Sequence, residues 1–259
     1  QTMEDTTNTP STEVNRKYKV EIKIPNLHVV IDGFRGHIEE IEDCIQLFLP
    51  SAEKHERETI KESTANLKKQ TTGLSSKSKA EQLIAAETTI KEIRRITRLI
   101  KSRRSRILGS GLFLSMFSAF DSFTGELLTY IYKNKPELFA DMNKTVTIAE
   151  ILKSGDLEEL KAIILRNEIE NFRRKSYVEQ FEELESRFKI TLKAFDKWKD
   201  FVECSQRRNL ITHCDGVVND QYIKVCQKEG VIFMKQPTVG GQLDLSVNYL
   251  IGATDTLIE

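Results

Sequence analysis

The stretch Arg207-Arg208-Asn209-Leu210-Ile211-Thr212-His213 brings two guanidinium groups, an amide and an imidazole within two helical turns. Imidazole ordinarily titrates near neutrality, and a guanidinium is a planar fork that matches phosphate oxygens. Such a group can both move a proton and neutralise a phosphate, which suits phosphodiester cleavage without a metal. On a helix Asn209 and His213, four apart, share a face, while Arg208 and His213 are five apart, roughly 140° around the axis. Arg208 and His213 therefore meet only around a substrate in a groove. The stretch reads as the beginning of a helix, and by spacing alone it also fits a surface helix with a capping Asn209 and an unrelated histidine.

Side chains with such roles need a rigid frame, and most of the chain has helical periodicity. The run from Ile107 to about Tyr132 predicts the central core helix, roughly 39 Å long at 1.5 Å per residue. Its Phe113, Phe117, Phe120, Phe123 and Tyr130 keep a helical spacing, with Asp121 among them. A buried acid needs a partner, and an arginine or the histidine of the motif would serve. Trp198, Phe201 and Val202 lead into the motif and predict that this stretch docks the motif helix on the core.

A second helix carries an apolar stripe of Leu83, Ile90, Ile93, Ile96 and Ile100. It also carries Lys91, Arg94, Arg95, Arg98, Lys101, Arg103, Arg104 and Arg106, opposed only by Glu92. Cations in a line bind a nucleic-acid backbone without reading its sequence. That makes Arg94, Arg95, Arg98, Arg103 and Arg104, together with Arg207, the candidate RNA contacts; a solvated helix face is the other reading.

The rest of the chain supplies boundaries. Tyr18, Val20, Ile22 and Ile24 alternate with charged residues, which predicts a strand closed by Pro25. Gly33 and Gly36 bracket a turn, Ile38, Ile41, Ile45 and Phe48 mark a helix that runs up to Pro50, and a more polar helix covers about Ala52 to Lys69. Thr71 to Ser78 reads as a loop. Thr147-Ile-Ala-Glu150 is a capping-box pattern, a charged helix runs from about Asp156 to Ile169, and Ser176 opens another with Phe181, Leu184 and Phe188 spaced for packing. Val231 to Met234 and Leu243 to Leu245 read as a small hairpin or two extended pieces, and Ser246 caps a last helix. The expected organisation is a flexible start over 1–15, an N-terminal strand and helices over 16–72 packed on the bundle, and a helical domain over 73–259.

Composition narrows the function. With 39 Lys and Arg against 39 Asp and Glu, no general attraction to nucleic acid exists, so binding must come from local patches. Cys44, Cys204, Cys214 and Cys226 follow no zinc-ligand spacing, and with no signal-peptide pattern they read as reduced cytosolic thiols. The most apolar run, Ile107 to Phe120, is too short and too rich in Gly and Ser to span a bilayer and is followed by Asp121 and Glu126. No metal site, cofactor or membrane role is expected.

The string Arg-Arg-Asn-Leu-Ile-Thr-His-Cys-Asp-Gly-Val-Val-Asn, residues 207–219, with Tyr222 shortly after, resembles the signature of the HEPN superfamily: Arg, a polar residue, three variable residues and His. Residues 117–128, followed by Tyr132 and Pro136-Glu-Leu-Phe139, are similar to the long HEPN helix that carries a polar residue facing the motif. Together these cover about residues 80–259. With the pattern above, the resemblance implies a mainly α protein, a HEPN-like helical bundle with a few short strands near both termini. It implies a metal-independent, cytoplasmic endoribonuclease that acts on RNA as a homodimer, its composite active site shared between two motif helices.

Each role follows from that resemblance. His213 takes the proton from a ribose 2′-hydroxyl or gives one to the leaving 5′-oxygen, and Arg208 binds the scissile phosphate. Asn209 orients the phosphate or caps the helix, Asp121 holds Arg208 or His213, and Arg207 contacts RNA or is solvated. The products would carry 2′,3′-cyclic phosphate and 5′-hydroxyl ends. The company HEPN domains keep implies a toxin or anti-phage effector with a regulatory or antitoxin partner. Asp215 stands where some HEPN toxins carry a modified tyrosine, which speaks against that mode. The rival is a catalytically silent HEPN-like dimerisation or nucleotide-binding module.

Overall fold

The computed structural model describes residues 26–72, 78–100, 104–139 and 145–259. The expected flexible start and the strand from Tyr18 to Ile24 lie outside the described residues, as does Arg103.

The core is built around α3 (Arg104–Asn134), whose Phe113, Met116 and Phe117 have no exposed surface. The helix that includes α3 is long and apolar enough to cross a membrane by length and composition alone. Its side chains are instead taken up by α1 (Leu27–Thr71), α7 (Trp198–Cys214) and α9 (Val247–Ile258). Val30, Phe34, Ile38, Ile41, Ile45 and Leu49 recur at three and four residues along α1 and are all buried, which makes one apolar stripe for α3 and α9. The N-terminal helix therefore shares the main core.

α1 corrects two boundary expectations. Gly33 and Gly36 form no turn but lie inside α1, and so does Pro50. A proline inside a helix costs roughly 3 kcal/mol through its missing N–H and its clash with the preceding turn. Here burial of Ile45 and Leu49 on the core side holds the helix through it, while Pro50 itself lies on the exposed side; α2 (Lys79–Ile100) also packs on α1. Next to Pro50, Ser51 donates its hydroxyl to the Leu47 carbonyl one turn back at 2.9 Å.

α2 forms where the periodicity places it, but turned about its axis. Gln82, Ala85, Thr89, Glu92, Ile96 and Leu99 are its half-buried positions, whereas Leu83, Ile90 and Ile93 of the expected stripe are exposed.

The middle of the chain follows its caps. Thr147 and Glu150 form a reciprocal capping box at α4 (Ile148–Lys153), and Asp156 caps α5 (Leu157–Arg173). Ser176 and Glu179 form a second box at α6 (Tyr177–Phe188), Asn219 caps α8 (Asp220–Lys228) and Ser246 caps α9. A secondary core of Leu128, Tyr132, Leu165, Ile169 and Phe172 joins α3 to α5.

The mainly α expectation holds, but the short strands near the C-terminus do not: among the described residues the sole β pairing is an isolated antiparallel bridge between Val217 and Gln242. The segment around Gly240-Gly241 bonds to the turn after α7 instead of to residues 231–234. Val218 donates to the Gly241 carbonyl and Gly240 to the Val218 carbonyl, both at 2.9 Å, and Leu243 donates to Gly216 at 3.1 Å. Those partners satisfy the backbone groups a hairpin would have used.

Candidate functional site

The motif occupies the last turns of α7 rather than the beginning of a helix. Trp198, Phe201 and Val202 start the helix and are buried, and the same helix carries on through Arg208 to Cys214. The reading of Asn209 as a helix cap therefore fails, because Asn209 is interior to α7. The docking expectation succeeds: Trp198 and Phe201 stack at 5.9 Å, and Phe201 packs on Phe120 of α3 at 5.4 Å.

α7 ends where Asp215 (φ 50°) and Gly216 (φ 69°) turn left-handed. The Gly216 N–H closes the end on the Leu210 carbonyl at 2.9 Å. A Cβ on Gly216 would lie 2.8 Å from the Arg106 guanidinium and 3.1 Å from the Gln242 amide. Both of those side chains donate to the Asp215 carbonyl, Gln242 at 2.8 Å. Arg106 of the basic run thus fastens the end of the motif helix to the start of α3.

Asp121, Arg208, Asn209 and His213 all line one cleft of about 690 Å³ between α3, α6, α7 and α8. The Arg208 guanidinium comes within 3.9 Å of the Asp121 carboxylate and donates to the Asn209 side-chain oxygen at 3.3 Å. Its Nε is buried without a hydrogen-bond partner. His213 is exposed on the same wall. Of the two expected partners for Asp121, the structure selects Arg208.

Tyr177 completes this arrangement. Its hydroxyl donates to Asp121 at 2.9 Å, and its ring is fixed by edge and tilted contacts with Phe117, Phe120 and Phe201. Burial, then the neighbouring Asp121 charge, push the phenol well above its ordinary range, so it stays a proton donor. Nothing in the spacing around residue 177 marks it, since the contact joins α6 to α3 across the bundle.

Arg207 does not line the cleft, and its side chain is largely covered. It pairs with Glu203 at 2.7 Å, donates to the Asp244 carbonyl and lies over the Tyr249 ring at 3.7 Å. Glu203 also accepts from Tyr222 at 2.6 Å and from Tyr249 at 2.7 Å. This nearly buried ionic group ties α7 to α8 and α9 behind the cleft. The four-residue spacing of Glu203 and Arg207 is its one legible signal.

Arg94, Arg95, Arg98 and Arg104 are exposed on α2 and at the start of α3, and none of them lines the cleft. The cations that do are Arg173, Arg174, Lys175 and Lys228, with Arg208. Arg173 is paired with Glu170 and Lys175 with Glu183, which leaves Arg174 and Lys228 without an ion pair among the described residues. All four cysteines are free thiols, and among the described residues no three His, Cys, Asp or Glu side chains gather as metal ligands.

Comparison with protein-family models, with curated proteins and with solved structures finds no match to this chain.

Proposed function

We propose that this protein is a metal-independent endoribonuclease of the HEPN type. The observation that carries the proposal is that Asp121, Arg208, Asn209 and His213 line one cleft, with Arg208 directed by Asp121. A planar donor held by a carboxylate suits a scissile phosphate, whose developing charge it neutralises. His213, exposed on the same wall, takes the proton from the 2′-hydroxyl or returns one to the 5′-oxygen. Asn209 orients the phosphate, and Asp121, held by Tyr177, positions Arg208. Arg174 and Lys228 carry the flanking backbone.

The working unit is a homodimer in which the motif helices of two copies complete a composite site. A cellular role as a cytoplasmic toxin or anti-phage effector, restrained by a regulatory or antitoxin partner, accords with that chemistry. A silent helical module is the second reading. One observation favours it: Arg208 is already engaged by Asp121 and Asn209 within the chain. RNA cleavage in the presence of excess EDTA, with 2′,3′-cyclic phosphate ends, decides between the two, since the silent module produces no cut.

A further inference from the structure

α2 turns its better side outwards. Towards α1 it presents the half-buried Gln82, Ala85, Thr89, Glu92, Ile96 and Leu99. One step around the helix, Leu83, Ala86, Ile90, Ile93 and Thr97 repeat the same three-four spacing and face away from α1. Leu83 is 67% exposed, Ile90 50% and Ile93 47%. A surface helix normally puts its large aliphatic residues on its neighbour and its polar residues in water. An outward three-four seam is instead what a coiled-coil partner requires.

We propose that this seam pairs antiparallel, across a two-fold axis, with α2 of a second copy of this chain. Charge selects both the occupant and the direction. Glu87 and Arg94 flank the seam on the same edge, one heptad apart, and both are exposed; the other edge, Gln82 and Thr89, is neutral and turned to α1. In an antiparallel pair Ile90 lies across from Ile93 of the second copy and Ala86 across from Thr97. Glu87 then falls beside Arg94, twice by symmetry. In a parallel pair Glu87 faces Gln82 and Arg94 faces Thr89 of the second copy, so neither charge finds a partner. The seam is thus complementary to itself only head to tail. This contact rests on the homodimer proposed above and supplies its association: the α2 seam, rather than the motif helix, holds the two copies together.

The test is the solution mass of the full chain by light scattering, followed through four variants. Wild type is expected at twice the chain mass of 29.8 kDa, and Ile90→Glu with Ile93→Glu at the single mass with unchanged helicity by circular dichroism. Glu87→Arg alone and Arg94→Glu alone each weaken the dimer, while the two together restore it, because the pair is merely exchanged. Should the apolar variant lose helicity, the charge exchange carries the test. A wild type at single mass, an apolar variant that keeps both helicity and the doubled mass, or a charge exchange that fails to restore pairing would each overturn the proposal. Mass and RNA cleavage are read separately, so loss of the ribonuclease reading leaves this result standing, and the reverse.

Discussion

Asp121 on α3 and Arg208 on α7 approach within 3.9 Å across the cleft, while Tyr177 on α6 donates to the other oxygen of the same carboxylate at 2.9 Å. Three helices therefore converge on one carboxylate, whose position sets the direction of a guanidinium. If that carboxylate positions Arg208, Tyr177→Phe removes a hydrogen bond worth about 1 kcal/mol and slows cleavage roughly three- to tenfold, chiefly in kcat. Asp121→Asn is expected to cost more, because it removes the charge that aligns Arg208. Single-turnover cleavage of a short RNA measures both.

Adjacent arginines should behave in opposite ways. Arg207→Ala strands Glu203 among Tyr222 and Tyr249 and is expected to cost about 3 kcal/mol, the scale for breaking a nearly buried pair. For a chain of this size that lowers Tm by on the order of 6–12 °C. Arg208→Ala, at a partly exposed cleft position, is expected to melt within a few degrees of wild type and yet lose cleavage. Thermal denaturation beside activity separates the two; equal loss of stability would remove the distinction.

Much of this arrangement was legible in the residues. The capping patterns at Thr147 and Ser246 and the opening at Ser176 mark real helix starts, since a cap is a local bond between residues three apart. Asp121 was legible as an acid in an apolar run that must find a cationic partner, and it found Arg208. What spacing could not give is tertiary choice. Pro50 reads as a stop but is carried through α1 by the burial of Ile45 and Leu49 on its core side. The extended pieces near Gly240 read as a hairpin but bond to the turn at Gly216-Val218. Arg207 and Arg208 look alike in sequence, and only the neighbouring helices decide that one is packed against Tyr249 and the other enters the cleft.

RNA affinity should follow the cleft rim. Charge reversal at Arg174 and Lys228 is expected to weaken binding of a His213→Ala protein and to lower the salt slope by about one for each phosphate that is no longer neutralised. Reversal at Arg95 and Arg98, away from the cleft, is expected to have the smaller effect. A larger effect from the α2 pair, measured by binding across a salt series, would move the RNA path onto that helix.

The thiols report on the integrity of the core. Burial, then the Glu203 charge, push Cys204 and Cys226 from an ordinary value near 9 up to about 12. At pH 8 both stay protonated, so a thiol reagent should modify the half-buried Cys44 and Cys214 first. Below pH 9 these buried thiols are protonated in folded and unfolded chains alike and their contribution is constant. As pH rises from 9 towards 12 the unfolded chain ionises first, and stability is lost. A Tm series from pH 7 to pH 10.5 is expected to be level at first and to fall above about 9.

The central claim is that Arg208 and His213 form the cleavage site. Its most direct measurement is end-group analysis of RNA incubated in excess EDTA with wild type, His213→Ala and Arg208→Ala. Wild type is expected to leave 2′,3′-cyclic phosphate and 5′-hydroxyl ends. Each variant is expected to lose at least about a hundredfold in rate, the scale of a missing proton-transfer or oxyanion group, while melting close to wild type. Cleavage that survives His213→Ala, disappears with EDTA or yields 5′-phosphate ends would contradict the account.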